Sequence, residues 1–436
     1  MRPTRESAGN RGLTLRILWV KSGGLVPPDT GGKIRSFNLL RELTRGHDVS
    51  LFTFYGRHPG DLHPTLEKLF TRVVCVPIEL PTARGAGEAL DYAKNLLSFR
   101  PYTMAKYCRP VVARALLELL RREHFDIILC DFLFSADVIP WDWTCPKVLF
   151  THNVEEQIWR RHFQVTRNPI WKAVSWREYQ TMRSAERRYV RLADHVLTVS
   201  ESDRSYFAAY ADPAKLTVVP TGVDVEYFQP GSAPKNPDTL VFTGSMDWLP
   251  NEDAISYFAE SILSHLQREV PGVKLNVVGR RPSRRLLKLA SESTGIVVTG
   301  EVPDIRPMVH NSCVYVVPLR IGGGTRIKIF EAMAMGMAIV STSVGAEGLP
   351  VRHNENIILA DDPEDFAKQV ARLLRDQETR ERIGRAARIL VEQNYSWRSV
   401  VGVFDTVFER VTAAETKAAP KLAAGMRHEE RADLRR

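Results

Sequence analysis

The sequence predicts an α/β protein of two Rossmann-like, doubly wound parallel-sheet domains facing a cleft. Three observations carry this expectation. Short, β-branched-rich apolar runs alternate with helix-length stretches, once over residues 15–228 and again over 229–395. The runs are apolar on both faces, as strands covered by helices must be. Each series has a glycine-bearing turn after its first apolar run, where open parallel sheets meet their ligands.

Residues 1–14 are polar and without periodicity, and read as a loose, disordered arm. The first series then gives strands at Leu15–Val20, Val49–Phe54, Val73–Val76, Ile127–Cys130, Lys147–Thr151, Val196–Ser200 and Thr217–Val219. Helical spacing lies between them at Ile34–Thr44 and Val112–Glu123. The segment Phe228–Thr239, FQPGSAPKNPDT, has turn formers and no apolar period, so it reads as the linker. The second series has strands at Leu240–Thr243, Lys274–Val278, Ile296–Thr299, Val314–Val317, Ala338–Ser341 and Ile357–Leu359. Its helices are Glu252–Arg268, Arg284–Ser291, Arg326–Met335 and Pro363–Arg375. A last helix over 396–412 carries an apolar face and either closes the second domain or crosses back to the first. Residues 413–436 form a basic tail, expected to be disordered.

Composition narrows the function. With 436 residues, 44% hydrophobic and 25% charged, the chain is ordinary globular protein, not collagen or coiled coil. Its five cysteines are scattered and form no CxxC pair, which excludes a zinc ribbon and a disulfide scaffold. A reducing, cytoplasmic compartment is expected. No apolar run approaches the length of about 18 residues that a spanning helix needs. The apolar stretch Ile17–Val20 stops at Lys21, too short for a signal peptide. The net charge of +9 points to an anionic partner: phosphate-bearing small molecules, anionic lipid or nucleic acid.

Three turns stand out. In VYVVPLRIGGGTRIKIFEAMAM an apolar strand runs into Gly322, Gly323 and Gly324, and a helix opens near Thr325 with Arg326, Lys328 and Glu331 behind it. Glycines let an anion approach backbone N–H groups where the helix dipole is positive, and the cations add formal charge. Thr325 suits a cap or a phosphate contact. The pattern is neither a Walker A loop nor GxGxxG. At the first turn, Gly31 and Gly32 precede Lys33 and Arg35. At the third, Gly244 follows the first strand of the second series.

Taken in order, GGKIRSFNLLRELTRGHDV, THNVE, TVSESD, VVPTGVDVEYFQP, FTGSMDWLPN, LNVVGRRP, VTGEVPDIRP and GGGTRIKIFEAMAMGMAIVST resemble the retaining group four glycosyltransferases of GT-B fold. The resemblance covers residues 15–412. The GGGTRIKIFEAMA version looks like sugar transferases of bacterial exopolysaccharide and protein-sorting loci. It implies transfer of a sugar from a nucleotide diphosphate sugar to a glycan or lipid-linked acceptor, with retention, no cofactor and no metal. Arg326 and Lys328 would then neutralise the leaving diphosphate. Glu331 matches the second acidic position of the family's Glu-x7-Glu motif, which holds ribose hydroxyls. The first is Gly323 here, so backbone groups of Gly322–Thr325 would meet the sugar. Arg280 matches a position near the nucleotide, and Val302 lies in the loop expected to meet the base. Either Asp131, where relatives often carry a histidine, or His152 of THNVE takes a catalytic place beside the reacting sugar. Gly31, Gly32 and Arg35 belong to the acceptor-side loop.

Other readings are a nucleotide-sugar epimerase of the same fold, a dehydrogenase, and a nucleic-acid binder. The missing GxGxxG opposes the dehydrogenase, and only charge favours the nucleic-acid binder. Trp159–Arg191 interleaves Trp159, Phe163, Trp171, Trp176 and Tyr179 with nine cations. It reads either as a helix with a buried aromatic face and a solvated basic one, or as a contact for an anionic membrane surface. The enzyme is accordingly expected in the cytoplasm, peripheral on the inner face of the cell membrane, with no nucleic-acid partner.

Overall fold

The computed structural model describes residues 14–28, 31–55, 63–81, 86–166, 168–232, 234–321 and 327–413. The loose arm (except Thr14), most of the basic tail and the Gly322–Arg326 turn therefore lie outside the described residues. The chain divides into two compact units, one of residues up to Pro220 together with those from Val401, the other Thr221–Val400.

The first unit is built on seven parallel strands: β1 (Arg16–Ser22), β2 (Asp48–Tyr55), β3 (Arg72–Pro77), β4 (Ile127–Asp131), β5 (Lys147–Phe150), β6 (His195–Thr198) and β7 (Leu216–Val218). Their order is β3-β2-β1-β4-β5-β6-β7. The strand order reverses between β1 and β4, so the carboxyl ends of these two strands flank the crevice where such sheets bind ligands. Their register pairs Lys21 with Asp131. Apolar residues on both faces bury the sheet, and Trp19, Phe150, Phe404 and Phe408 pack on one side of it. Two of these rings come from the helix over residues 397–413, whose part from Val401 belongs to this unit.

The second unit has six parallel strands: β8 (Thr239–Thr243), β9 (Lys274–Val278), β10 (Ile296–Gly300), β11 (Val314–Val317), β12 (Ala338–Ser341) and β13 (Ile358–Leu359). The order β10-β9-β8-β11-β12-β13 puts its switch point between β8 and β11. Both sheets are thus the doubly wound parallel kind that the alternating apolar runs predict.

Three helical features depart from the sequence expectation. The stretch expected as one helix from Glu252 runs as Leu249–Tyr257, a π-helical turn Phe258–Ile262, and Leu263–Glu269. The helix Gln377–Asn394 was not expected, because its charged surface masks the short apolar stripe Ile383, Ala387, Val391. Gly384 lets it approach closely: a Cβ there would lie 2.2 Å from the Gly336 carbonyl oxygen. The basic aromatic segment is two helices, Glu155–Val165 and Pro169–Leu192, parted where Asn168 caps and Pro169 opens the second. The longer helix does not bury an aromatic face. It buries Ser175, Glu178, Met182, Glu186, Tyr189 and Val190, and leaves Trp171 and Trp176 exposed.

Candidate functional site

In the first unit the chemistry gathers around Asp131, the last residue of β4. Its side chain is fully buried and accepts on both oxygens. Trp19 Nε1 and Ser36 Oγ donate to Oδ2 at 2.9 and 2.6 Å. Lys21 Nζ lies 3.1 Å from the same oxygen. His152 Nε2 lies 2.7 Å from Oδ1. The opposite ring nitrogen, His152 Nδ1, is 3.2 Å from Arg35 Nη1. A guanidinium only donates, so Nδ1 is the acceptor and the ring proton sits on Nε2, pointing at Asp131. Arg35, His152, Asp131 and Lys21 therefore form one directed chain.

The charges follow from this packing. Burial opposes charge on Asp131, but Lys21, His152 and Ser36 together outweigh it and hold the carboxyl well below the ordinary range. Burial lowers His152 to about 4 against the pull of Asp131, and the cations Arg35 and Lys21 lower it further. The ring is neutral at pH 7, and both its nitrogens are engaged. Burial lowers Arg35 to about 10, opposed by Asp131 and Asp203, so it stays charged. Sequence reasoning named Arg35, Asp131 and His152 separately; the fold joins them. It missed Lys21, whose only signal was a lysine ending an apolar strand.

Phe132 completes this site. Its φ of 67° is the left-handed region that a bulky residue rarely enters. The ring stacks on His152 at 3.7 Å between centroids, and Lys21 Nζ lies 4.4 Å from its centroid. Gly32 makes room for it: a Cβ at Gly32 would stand 2.6 Å from the Phe132 ring. Gly32 thus acts through the aromatic ring, whereas Gly31 is exposed at the start of the helix Gly31–Leu43. Behind the site, Glu186 accepts from the Glu155 and Glu156 backbone N–H groups at 2.8 and 3.3 Å, capping the helix that follows THNV.

In the second unit the turns after β8 and β9 are pressed together. A Cβ at Gly279 would fall 1.7 Å from the Gly244 carbonyl oxygen, so only glycine fits. Gly244 has φ +154°, and a Cβ there would lie 2.8 Å from Lys328 Nζ. Lys328, on the helix Ile327–Ala334, donates to Asn251 Oδ1 at 2.5 Å and lies 4.1 Å from the Phe242 ring centroid. The cation expected behind the glycine-rich loop thus stands over the Gly244 turn, which has no cation of its own. Asn251, which tethers it, was not singled out by sequence.

Arg280 Nε donates to Ser245 Oγ at 3.0 Å, and Met246 N donates to the Arg280 carbonyl at 2.9 Å, tying the β9 turn to the β8 turn. Val302 is half-buried against this unit's core, in a loop braced by the Asp304–Arg306 pair. Burial raises the Glu331 carboxyl to about 7, with Lys328 opposing. Gly244, Arg280 and Lys328 are therefore brought together. Gly322, Gly323, Gly324, Thr325 and Arg326 lie outside the described residues. Among the described residues no three His, Cys, Asp or Glu side chains are grouped to hold a metal ion.

Two family models match this chain: Glycosyltransferase Family 4 over residues 31–227 and Glycosyl transferases group 1 over 237–376. An uncharacterised 44.6 kDa protein of the cps region of Klebsiella pneumoniae is 20% identical over 405 residues, 90% of this chain and 99% of that protein. A GDP-mannose-dependent phosphatidylinositol monomannoside mannosyltransferase of Mycobacterium tuberculosis is 28% identical over 252 residues, covering 51% of this chain and 64% of its own length. Among solved structures, sucrose-phosphate synthase from Thermosynechococcus elongatus aligns at TM-score 0.66 and 16% identity, over 92% of this chain and all of that one. HepE from Anabaena, solved with UDP, aligns at TM-score 0.63 and 13% identity, over 91% of this chain and 100% of that one.

Proposed function

From the premise that this chain belongs to the GT-B glycosyltransferases of family 4 type, we propose a retaining transferase acting on a nucleotide diphosphate sugar. The acceptor is a glycan or lipid-linked sugar, and the product enters cell-surface polysaccharide. The observation that carries the donor assignment is Lys328 Nζ held over the Gly244 turn, at the switch point of the second sheet. That is where a diphosphate would be met by a fixed cation and by backbone N–H groups. The neighbour HepE was solved with UDP, which supports a nucleotide ligand.

In this reading Lys328 and Arg326 offset the charge that grows on the leaving phosphate, so no metal is required. The Gly322–Thr325 backbone meets the sugar, Glu331 accepts from the ribose hydroxyls, and Arg280 and the Val302 loop flank the nucleotide. In the first unit Asp131 and His152 stand beside the reacting sugar, and Gly31, Gly32 and Arg35 border the acceptor. His152, neutral and with both nitrogens engaged, orients rather than abstracts a proton. Front-face attack then leaves the departing phosphate to take the acceptor proton. The cps-region relative supports a role in surface-polysaccharide assembly; the place of action in this reading is the cytoplasmic face of the membrane.

A thermal-shift screen of UDP, GDP, ADP, dTDP and CMP, with and without EDTA, tests the donor assignment. A rise with one diphosphate, unchanged by EDTA, is expected. No rise with any nucleotide overturns it, and a rise abolished by EDTA overturns metal independence. Donor consumed without acceptor would identify an epimerase or hydrolase instead.

A further inference from the structure

A surface helix normally buries one face. The helix Ala86–Asn95 buries none of its residues. Just beyond it, Leu97 is 95% and Phe99 93% exposed, and Leu90 and Leu96 are exposed as well. Arg177 anchors this turn to the helix Pro169–Leu192. Its Nη2 donates to the Asn95 and Ser98 carbonyls at 2.6 and 2.9 Å, and its guanidinium lies 5.5 Å from the Tyr92 ring centroid. Tyr102 N donates to Glu178 at 2.9 Å, fastening the other end of the turn to the same helix.

Leu97 and Phe99 are thus held at the amino-terminal part of the long helix, where Ile170, Trp171 and Trp176 are exposed. Trp171 extends the stripe of Ser175, Glu178 and Met182 one turn past the last buried residue, so the helix overhangs the core beneath it. Aliphatic and aromatic side chains gathered this way usually mark a surface that something covers.

Charge selects the occupant. Four carboxylates of this region are matched to cations: Glu88 to Lys106 at 2.7 Å, Asp91 to Arg109 at 3.0 Å, Glu178 to Arg177 at 2.5 Å, and Asp137 to Arg100. Lys94 and Lys172 are exposed and add positive charge. Leu, Phe and Trp flanked by exposed lysines match a bilayer interface, where apolar side chains enter the acyl boundary and cations meet anionic headgroups.

We propose that the turn after Ala86–Asn95 and the overhanging start of Pro169–Leu192 together seat this protein on an anionic membrane surface. This moves the contact away from the arginine-rich end of the long helix. There Arg183 and Arg187 face Glu156, Arg187 and Arg191 lie over Tyr210, and Arg188 lies over Tyr189. Those cations are engaged inside the unit. The surface includes Leu97 and Phe99, which the sequence pattern did not single out.

The test is co-sedimentation of the full chain with phosphatidylglycerol vesicles and with phosphatidylcholine vesicles, at low and high salt and without any nucleotide. Binding to the anionic vesicles is expected, weakened by salt, with blue-shifted tryptophan fluorescence. The double variant Leu97→Glu/Phe99→Glu should weaken binding at least about tenfold at an unchanged melting temperature, because both side chains leave the acyl boundary. Trp171→Ala should weaken it independently. No binding at low salt, or binding that the double variant leaves intact, overturns the proposal. So does a concentration-dependent dimer that the same double variant dissolves while vesicles stay unbound, since the surface would then belong to a second copy. None of these readouts involves the donor site, so they fail separately from the transferase reading.

Discussion

Asp131→Asn isolates what the buried chain of the first unit contributes. Asp131 is 0% exposed and Lys21 2%, and their side chains are 3.1 Å apart. The amide keeps the shape and removes the charge, leaving the ammonium buried without its carboxylate. It also cannot satisfy every donor. With its oxygen toward Lys21, Ser36 and Trp19, its NH2 faces His152 Nε2, which must then give up its proton to Nδ1 and oppose Arg35. Turned the other way, the NH2 faces the ammonium. Removing one partner of such a buried pair costs about 3–5 kcal/mol. Native-state hydrogen exchange of the β1 and β4 amides reads this unit by itself. The double variant Lys21→Met/Asp131→Asn should recover about 1–3 kcal/mol, since the stranded ammonium is gone. A loss below about 1 kcal/mol for Asp131→Asn, the range of exposed pairs, would refute the reasoning.

Four further outcomes are expected. His152 titrates near 4 in the folded chain against 6.5 unfolded, so as pH falls the unfolded state binds the proton first. The first unit therefore loses stability between those two values and levels off below them, and His152→Gln should flatten that slope in acid melts. Glu331 shows the opposite sign: its carboxyl is raised from 4.5 to about 7, so stability present below 4.5 is lost as pH rises through 7. Melts of the nucleotide-free protein should show Glu331→Gln removing that loss, at most about 3 kcal/mol, while weakening nucleotide binding. Lys328→Ala should cut turnover about 10²–10³-fold with the fold retained, by analogy with removing one preorganised group at a developing charge; near-normal steady-state kinetics would remove the lysine from its assigned role. Gly279→Ala places a methyl 1.7 Å from the Gly244 carbonyl oxygen, so urea melts should show the second unit destabilised by more than about 3 kcal/mol.

Strand positions, glycine turns and the two-series layout were legible in the sequence because their causes are local. A strand buried on both faces must be a continuous apolar run, and all thirteen strands among the described residues answer to one. Glycine beside a strand end signals a close approach, as at Gly244 just past β8, and glycine opening a helix does so at Gly32. The helix Gln377–Asn394 escaped because its stabilisation is not local: Arg388 fills the carbonyls of Phe228 and Val225 from more than 150 positions away. The arginines of 183–191 could not be sorted from the exposed Lys172 by sequence, because pairing with Glu156 or Tyr210 depends on which helices meet. The site around Asp131 is the clearest case. Strand order alone sets β1 against β4, which turns Lys21 from the end of an apolar run into the counter-ion of a carboxylate. The residue types at Lys21, Arg35, Asp131 and His152 were written in the sequence. The tautomer, the charges and the direction of the hydrogen bonds among them came from burial in one shared, water-poor space, which only the folded chain creates.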